Sequence, residues 1–376
     1  MPFIISFLFI KNIEDLDYGL WILYFQIVII FSATIVSPTQ LFFNREYDKF
    51  KNDKINLYNT NLIILILIMS LFSFLLFGNA IFLHSFLGLL TILTLSLNNL
   101  FFNYLRFKGL NFKYFYNSLI RTLLFTCLLL LFLLIKKSIQ IEDLFIAYIL
   151  SNLIIILFYS KKLSICFKSY RLSEFLRLSI YGILTMSLGG IDKLVLIKTD
   201  LTVKDLAILG YALVFANSTS VIVEGFKKYF SPIYFSDFKK NNFFSKSTIK
   251  ETVKANIILC ILQIIFPFFI YFLIDSFGLI KESLISSYFF KLLFLLSSAL
   301  FINNLYHFLN PFLFFKDKSL YLSLVILLTA LIFIFLVFNV NNLDLIKLAL
   351  LKIIASVILI ISTIFLVLYF RSKKNA

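Results

Sequence analysis

Two charged residues lie inside an apolar stretch of the chain that is about as long as a membrane span. Asp192 and Lys193 follow a glycine pair, Gly189 and Gly190, within residues 187–198. Ionisable side chains inside a bilayer are costly, and they usually face the interior of a helix bundle or a water-filled path. Adjacent residues on a helix point about 100° apart, so each charge needs a partner on another helix. The stretch is therefore predicted either to line a cavity that binds a charged ligand or to hold an ion pair that only joins helices.

Further ionisable side chains lie within or at the ends of other apolar stretches, and most of them are cationic. Arg121 lies deep in its stretch, whereas Lys291 and Lys352 lie nearer the predicted outer face and are expected to extend their amines outward to the interface. Glu224 has lysines at helical spacing as alternative partners, and Arg45 has the alternative role of a topological anchor. A cavity lined by arginine and lysine suits an anionic ligand, of which phosphate is the common case. The residues predicted to line the cavity are Asp192, Lys193, Arg45, Arg121, Glu224 and Gln26. For Gln26, the alternative role is a hydrogen bond that joins helices.

The arrangements of residues that catalysis requires are missing from the sequence. The two histidines, His84 and His307, are far apart in the chain, and neither an H-E-x-x-H motif nor a phosphate-binding glycine loop occurs. The three cysteines form no C-x-x-C pair, so neither a metal site nor a disulfide framework is indicated. We therefore predict no catalytic residue, no metal and no cofactor.

The composition explains why these charges have apolar surroundings. Of the 376 residues, 61% are hydrophobic, and apolar runs of about 20 residues recur from one end of the chain to the other. The runs are too continuous for a β-barrel, in which apolar and polar residues alternate. The formal net charge of +16 resides mostly in short loops, which is the positive-inside pattern of membrane proteins. These features predict an all-α polytopic membrane protein and no binding of nucleic acid.

Eleven complete transmembrane helices are predicted from the apolar runs. They cover residues 18–43, 57–77, 81–105, 112–135, 142–162, 173–199, 203–230, 250–277, 283–310, 319–338 and 344–370. The loops alternate between basic and nearly neutral, and the basic set, which includes the C-terminus, is expected on the cytoplasmic side. The longest connection, at about 231–249, belongs to this basic cytoplasmic set.

The N-terminal residues 1–10 are apolar but too short to span a membrane. They are expected to be the tail of a first helix whose start is missing, in a parent design of twelve helices. The stretch Phe7–Lys11 and the residues after it match Leu194–Lys198 and the residues after it in the same order, which indicates an internal repeat. We predict an N-terminal lobe at 1–165, with its first helix truncated, and a C-terminal lobe at 166–376.

Four residues mark places where helices could bend. Pro38 lies late in the first complete span, and Pro267 lies near the middle of the span that starts at residue 250. The pair Gly189 and Gly190 lets helices approach closely or lets one helix bend. All four are predicted as hinge candidates for alternating access, and a static kink is the alternative role of the prolines.

Three stretches resemble the oligosaccharide flippases, the O-antigen transporters (Wzx-type) of the multidrug/oligosaccharidyl-lipid/polysaccharide exporter superfamily. Residues 14–21, with the sequence EDLDYGLW, resemble the family's acidic loop and the start of its second helix. Residues 190–198, GIDKLVLIK, resemble the seventh-helix stretch, which often reads Asp-Arg in that family. Residues 204–211, KDLAILGY, resemble the loop that leads into the eighth helix. The resemblance in topology covers nearly the whole chain.

The resemblance implies two six-helix lobes that face each other as a V, as in MATE-like transporters, with helices 1, 2, 7 and 8 lining a central cavity. It places Asp192 and Lys193 on the charged positions of the seventh helix and Arg45 at the basic end of the second. Lys193 stands where arginine is common, and lysine cannot make the bidentate phosphate contact that arginine makes.

The function that the resemblance implies is a flippase and not an enzyme. It would move undecaprenyl-diphosphate-linked oligosaccharide units, for O-antigen or another surface polysaccharide, across the bacterial inner (cytoplasmic) membrane. Its partners would be membrane lipids and the polymerase and chain-length machinery of the same pathway. The alternatives are a cation-coupled drug exporter of the same superfamily, which would need unpaired carboxylates in its cavity, and a membrane-embedded glycan polymerase, which would need a large external loop.

Overall fold

The computed structural model describes residues 9–46, 55–58, 82–107, 110–159, 163–166, 172–195, 201–241, 243–281, 284–316 and 318–372. Within these ranges the chain forms eleven α-helices. They are α1 (Asp15–Glu46), α2 (Phe82–Phe107), α3 (Asn111–Lys136), α4 (Ile141–Tyr159), α5 (Leu172–Val195), α6 (Val203–Ala216), α7 (Ser220–Asn241), α8 (Lys246–Ser276), α9 (Ser287–Phe315), α10 (Ser319–Asn339) and α11 (Leu345–Ser372). The predicted all-α polytopic class is confirmed.

Seven of the described helices are long and apolar enough to cross a membrane. Their apolar segments are Asp15–Ala33, Phe112–Lys136, Ile141–Phe158, Lys246–Ser276, Ser287–Phe315, Ser319–Asn339 and Leu345–Arg371. Helix α2 contributes a shorter apolar stretch, Phe86–Phe102. The predicted span at 57–77 lies outside the described residues from position 59 onward, and so do the first eight positions of the predicted helix tail at 1–10.

The chain divides into two compact units. Unit one comprises Asn12–Ser187, and unit two comprises Leu188–Ala376 together with residues up to Lys11. The division falls within α5, which runs without interruption from Leu172 to Val195. The lobe boundary expected between residues 165 and 166 stays a prediction.

In unit one, α2 packs against both α1 and α4, and α3 packs against α4. Trp21 of α1 meets Phe145 of α4 edge to face, with ring centroids 4.9 Å apart. The amide nitrogen of Asn98 on α2 donates to the amide oxygen of Asn152 on α4 over 2.5 Å, and both residues are fully buried. Among apolar helices, such polar contacts fix which turns of the two helices face each other.

A short parallel ladder joins two connections of unit one. Strand β1 (Ile55–Tyr58) follows α1, and strand β2 (Leu163–Cys166) lies between α4 and α5. The two strands pair residue for residue, from Ile55 opposite Leu163 to Tyr58 opposite Cys166. Both strands lie beside basic stretches of sequence. The sequence did not predict this ladder, and β1 takes the first two residues of the expected span at 57–77.

Helix α9 occupies the centre of unit two and packs against α6, α7, α8 and α11. Aromatic rings line its contacts at two levels. Tyr271 of α8 lies 5.4 Å from Phe215 of α6 and 5.8 Å from Phe289 of α9, measured between ring centroids. Further along, Phe230 of α7 lies 6.3 Å from Phe308 of α9. These rings fill the space between helices in the way that core aromatic residues do in soluble proteins.

The predicted span at 203–230 is not a single helix. Helix α6 ends at Ala216, a 3-10 turn covers Asn217–Thr219, and α7 begins at Ser220. The four residues 217–220 all have short polar side chains, which compete with the backbone for its hydrogen bonds. The side chain of Asn217 donates to the carbonyl oxygen of Leu213 over 2.8 Å, as expected of such competition.

The predicted loop at 231–249 is also mostly helical. Helix α7 continues to Asn241, and α8 already begins at Lys246. Aromatic contacts hold this polar end of α7, and the rings of Phe238 and Phe244 lie 4.8 Å apart. Hydropathy does not predict this end of α7, because its sequence is polar and lies outside the apolar runs.

A carboxylate closes the short connection between α7 and α8. Asp237 accepts a hydrogen bond from the backbone N–H of Ser245 over 2.9 Å, and Ser245 caps α8 by accepting from the N–H of Thr248. Partial burial disfavours the charged form of Asp237, but hydrogen bonds from Thr248 and Ser245 outweigh burial and lower its pKa below the ordinary 3.8. The lowered pKa means that ionised Asp237 stabilises the folded state above about pH 4 and that this stability is lost as the pH falls through the folded pKa.

Replacing Asp237 by Asn, which keeps the acceptor but not the charge, should therefore lower stability slightly at neutral pH. Because the carboxylate is only partly buried, we expect a loss of at most about 1 kcal/mol. Thermal unfolding of the purified protein across the acid range measures it, and the gap between wild type and variant should close below the ordinary carboxyl pKa. A gap that is unchanged at acid pH would contradict the assignment.

Candidate functional site

An ion pair lies buried between two helices of unit two. Asp192 on α5 is fully buried, and its Oδ2 atom lies 2.5 Å from the Nζ atom of Lys352 on α11. Of the two interpretations that the sequence allowed for Asp192, the structure contains the ion pair. Binding of a ligand at Asp192 and Lys193 stays a prediction.

The ammonium group of Lys352 has a second oxygen partner on the same turn of α5. Its Nζ atom lies 3.5 Å from the carbonyl oxygen of Gly189, three residues before Asp192. The backbone of Lys352 is itself tied within α11, because the hydroxyl of Ser356 donates to its carbonyl oxygen over 2.9 Å. One carboxylate and one carbonyl therefore hold the lysine cation in place.

The outward extension expected of Lys352 is wrong. The side chain is buried because Lys352 lies on the inner face of α11, in line with Ala349, Ser356 and Thr363, which are also buried. The lipid-facing side of the same helix carries exposed large residues such as Phe365. Small and polar residues at helical spacing mark packing faces in membranes, so this periodicity was the signal that could have revealed the partner of Asp192.

Lys193 extends the charged region by one residue. It is half-buried, and its backbone N–H donates to Oδ1 of Asp192 over 3.1 Å. The carboxylate of Asp192 thus receives the Lys352 ammonium on one oxygen and a backbone N–H on the other. This part of unit two brings together Asp192, Lys193 and Lys352, two cations and one anion.

The hinge candidates of α5 and α8 lie in unbroken helices. A Cβ atom added at Gly189 would meet no atom within 4 Å, so close packing against a neighbour is not what requires glycine there. Gly190 is buried. Pro267 is buried inside α8 and cannot donate to the carbonyl of Gln263 one turn earlier, which weakens that turn. Bending at these residues stays a prediction.

Two predicted cavity residues lie in unit one. Gln26 on α1 is buried, and its side-chain nitrogen donates to the carbonyl oxygen of Met186 on α5 over 3.1 Å. Arg121 on α3 is half-buried, with its guanidinium carbon 5.1 Å from the ring centroid of Phe102 on α2. Gln26 thus joins two helices, and the guanidinium of Arg121 stacks on an aromatic ring.

Three further predictions fall where the structure describes only the backbone. Arg45 and Pro38 belong to α1, and Glu224 belongs to α7. Their side chains lie outside the described part of the chain, so their roles stay predictions.

A second buried carboxylate is also paired with lysine. In unit one, Oδ1 of Asp143 lies 2.7 Å from Nζ of Lys136, and its Oδ2 accepts the backbone N–H of Gln140. Asp143 is 1% exposed, whereas Lys136 is 43% exposed. Among the residues whose side chains are described, Asp143 and Asp192 are the two buried carboxylates, and each has a lysine partner. The described residues contain no cluster of three or more side chains suited to hold a metal.

The Asp192–Lys352 pair predicts strong coupling between two substitutions. Lys352→Met and Asp192→Asn should each destabilise the protein, the former by about 3–5 kcal/mol, because each removes one partner of a buried pair. The double variant removes both charges, so its loss of stability should be much smaller than the sum of the losses in the two single variants. Unfolding of the four proteins in detergent measures the coupling, and additive losses would show that the two groups do not interact.

Comparisons with known proteins support the fold. No protein-family model matches the chain, and no curated protein sequence matches it. Two solved structures are similar: an outward-facing multidrug resistance MATE family transporter of the MOP superfamily, and an inward-facing one. The outward-facing structure has a TM-score of 0.59 and 14% identity over 96% of this chain and 88% of that chain. The inward-facing structure has a TM-score of 0.62 and 13% identity over 95% of this chain and 94% of that chain. At these identities the likeness establishes a MATE-like fold.

Proposed function

We propose that the protein is a transporter of the inner membrane that moves an anionic, lipid-linked oligosaccharide, an undecaprenyl-diphosphate glycan, to the outer leaflet. The observation that carries the proposal is the charge of the site in unit two. Asp192 is neutralised by Lys352, and Lys193 adds a further cation beside them. A phosphate ligand is the natural counterpart of such a region.

The resemblance of residues 14–21, 190–198 and 204–211 to oligosaccharide flippases supports this choice of ligand. In the proposal, Lys193 contacts the diphosphate, while Asp192 and Lys352 position the turn of α5 that carries Lys193. The lipid tail stays in the bilayer, and no covalent bond is made or broken. The glycan polymerase and chain-length proteins of the pathway would receive the product.

A cation-coupled drug exporter is the second candidate, because both similar solved structures are described as multidrug resistance transporters. Such coupling needs a carboxylate that can bind and release a cation. The buried carboxylates among the described side chains, Asp143 and Asp192, each hold a lysine ammonium instead. The pairing therefore favours the flippase over the exporter. No feature of the described residues favours the glycan polymerase.

The deciding experiment is deletion of the gene followed by measurement of undecaprenyl-diphosphate glycan on each face of the inner membrane. A flippase predicts complete repeat units that accumulate on the cytoplasmic face, with loss of surface glycan. Normal lipid-linked pools, together with increased retention of cationic dyes, would establish the exporter instead. Repeat units that reach the outer face without being joined would indicate the polymerase.

Lys193→Gln should lower export in the complemented strain by about tenfold or more, because a charged hydrogen bond to phosphate contributes about 1.5–3 kcal/mol. Lys136→Gln is the matched control, since it removes the lysine partner of the other buried carboxylate and should leave export nearly unchanged. Surface glycan and the level of protein in the membrane are measured together. Equal export by the two variants at equal protein levels would remove Lys193 from the mechanism.

A further inference from the structure

We infer that the ammonium of Lys352 is a built-in counter-ion, which occupies the position where Asp192 would otherwise bind a free monovalent cation. The pair is closed to ions, and the protein carries a latent cation site that opens when the lysine ammonium is removed. One consequence, that Asp192 does not bind and release an ion in each transport cycle, rests on the proposed function. The occupation of the site by the Lys352 ammonium is independent of that function.

The oxygen atoms near Nζ of Lys352 are of the chemical types that bind sodium. The carboxylate of Asp192 supplies a charged oxygen at 2.5 Å, and the carbonyl of Gly189 supplies a neutral one at 3.5 Å. Carboxylate and carbonyl oxygens are the ligands that hard cations prefer in proteins. Both come from one turn of α5, so they remain together whatever occupies the space between them.

The burial of the pair keeps the lysine in place. Asp192 is 0% exposed and Lys352 is 9% exposed, so water does not replace either partner. The backbone of Lys352 is part of α11, which packs against α9 and α10. Because the ammonium is covalently attached to this packed helix, it cannot diffuse away as a bound ion does. Release of Asp192 would leave two buried charges unpaired, which is strongly unfavourable.

The other Lys–Asp pair of the chain does not have this property. Lys136 is about half exposed, and Asp143 lies in the first turn of α4, where the helix N-terminus favours a negative charge. Each carboxylate keeps one backbone N–H as a partner, so the exposure of Lys136 and the helix N-terminus make the difference. Loss of Lys136 therefore creates no demand for a cation, and Lys136→Met is the matched control.

Removal of the Lys352 ammonium should convert the buried pair into a cation site. In Lys352→Met, Asp192 has lost its partner and must take up a sodium ion or a proton, because a bare carboxylate is not stable in apolar surroundings. Lys193 adjoins Asp192 in the chain and adds a further cation there, so the decisive variant also carries Lys193→Gln. The neutral variant that replaces Asp192 by Asn in the same background is the reference without a carboxylate.

The test measures binding of radiolabelled sodium to purified protein at alkaline pH, together with thermal unfolding in sodium chloride and in choline chloride. We expect the K193Q/K352M protein to bind sodium saturably and to gain about 2–4 °C in Tm from it. Wild type, Lys193→Gln, Lys136→Met and the D192N/K193Q/K352M reference should show neither effect. If Asp192 binds a proton instead of sodium, the infrared band of a protonated carboxyl appears in K193Q/K352M and is absent from the D192N/K193Q/K352M reference.

Two results would overturn the inference. One is saturable sodium binding to the wild type that disappears in Asp192→Asn, since the site would then be open. The other is a well-folded K193Q/K352M protein with neither bound sodium nor a protonated carboxyl. If that variant does not survive purification, the comparison of wild type with Asp192→Asn decides. The inference is supported if neither protein binds sodium and the Tm of neither protein depends on it. None of these readouts uses the transported substrate, so an error in the proposed function would leave them unchanged.

Discussion

A buried carboxylate within an apolar stretch of the chain cannot be left without a partner, and this constraint organises unit two. Asp192 meets it through Lys352, which lies 160 residues later in the sequence. The pair joins the end of α5 to α11, and α11 in turn packs against α9 at the centre of the unit. The contact therefore does more than hold two charges: it fixes which turn of the last helix faces the turn of α5 that carries Gly189.

The apolar runs of the sequence predicted most of the helices, because the thickness of the bilayer sets their length. Hydropathy is averaged over a window of about 19 residues, and the four short polar residues 217–220 hardly change that average, so the break after Ala216 was not predicted. The helical end of α7 was hidden for the opposite reason. It is polar in sequence, and contacts such as that of Phe238 with Phe244 stabilise it outside the apolar run. Strand β1 pairs with a distant segment, which no local pattern indicates.

The candidate site could be predicted in part. The charge of Asp192 within an apolar stretch was enough to show that it needed a partner on another helix, because burial makes that demand whatever the fold. The identity of the partner depends on which face of α11 turns inward. Lys352 shares that face with Ala349 and Ser356, which are buried. The sequence instead suggested that the Lys352 side chain extends outward, because Lys352 lies near the predicted outer end of its helix. Position along a helix and position around it are independent, and only the second decided this case.

Transporters of one fold can differ in what neutralises their buried charges. A free cation that binds a buried carboxylate can couple transport to an ion gradient, because it enters from one side and leaves on the other. A lysine ammonium on a packed helix satisfies the same carboxylate without leaving, so it contributes to the architecture and not to the energy input. In this chain both buried carboxylates among the described side chains have lysine partners. The difference between an ion-coupled site and a closed one can thus reside in a single side chain of α11, which a comparison of folds at 13–14% identity does not detect.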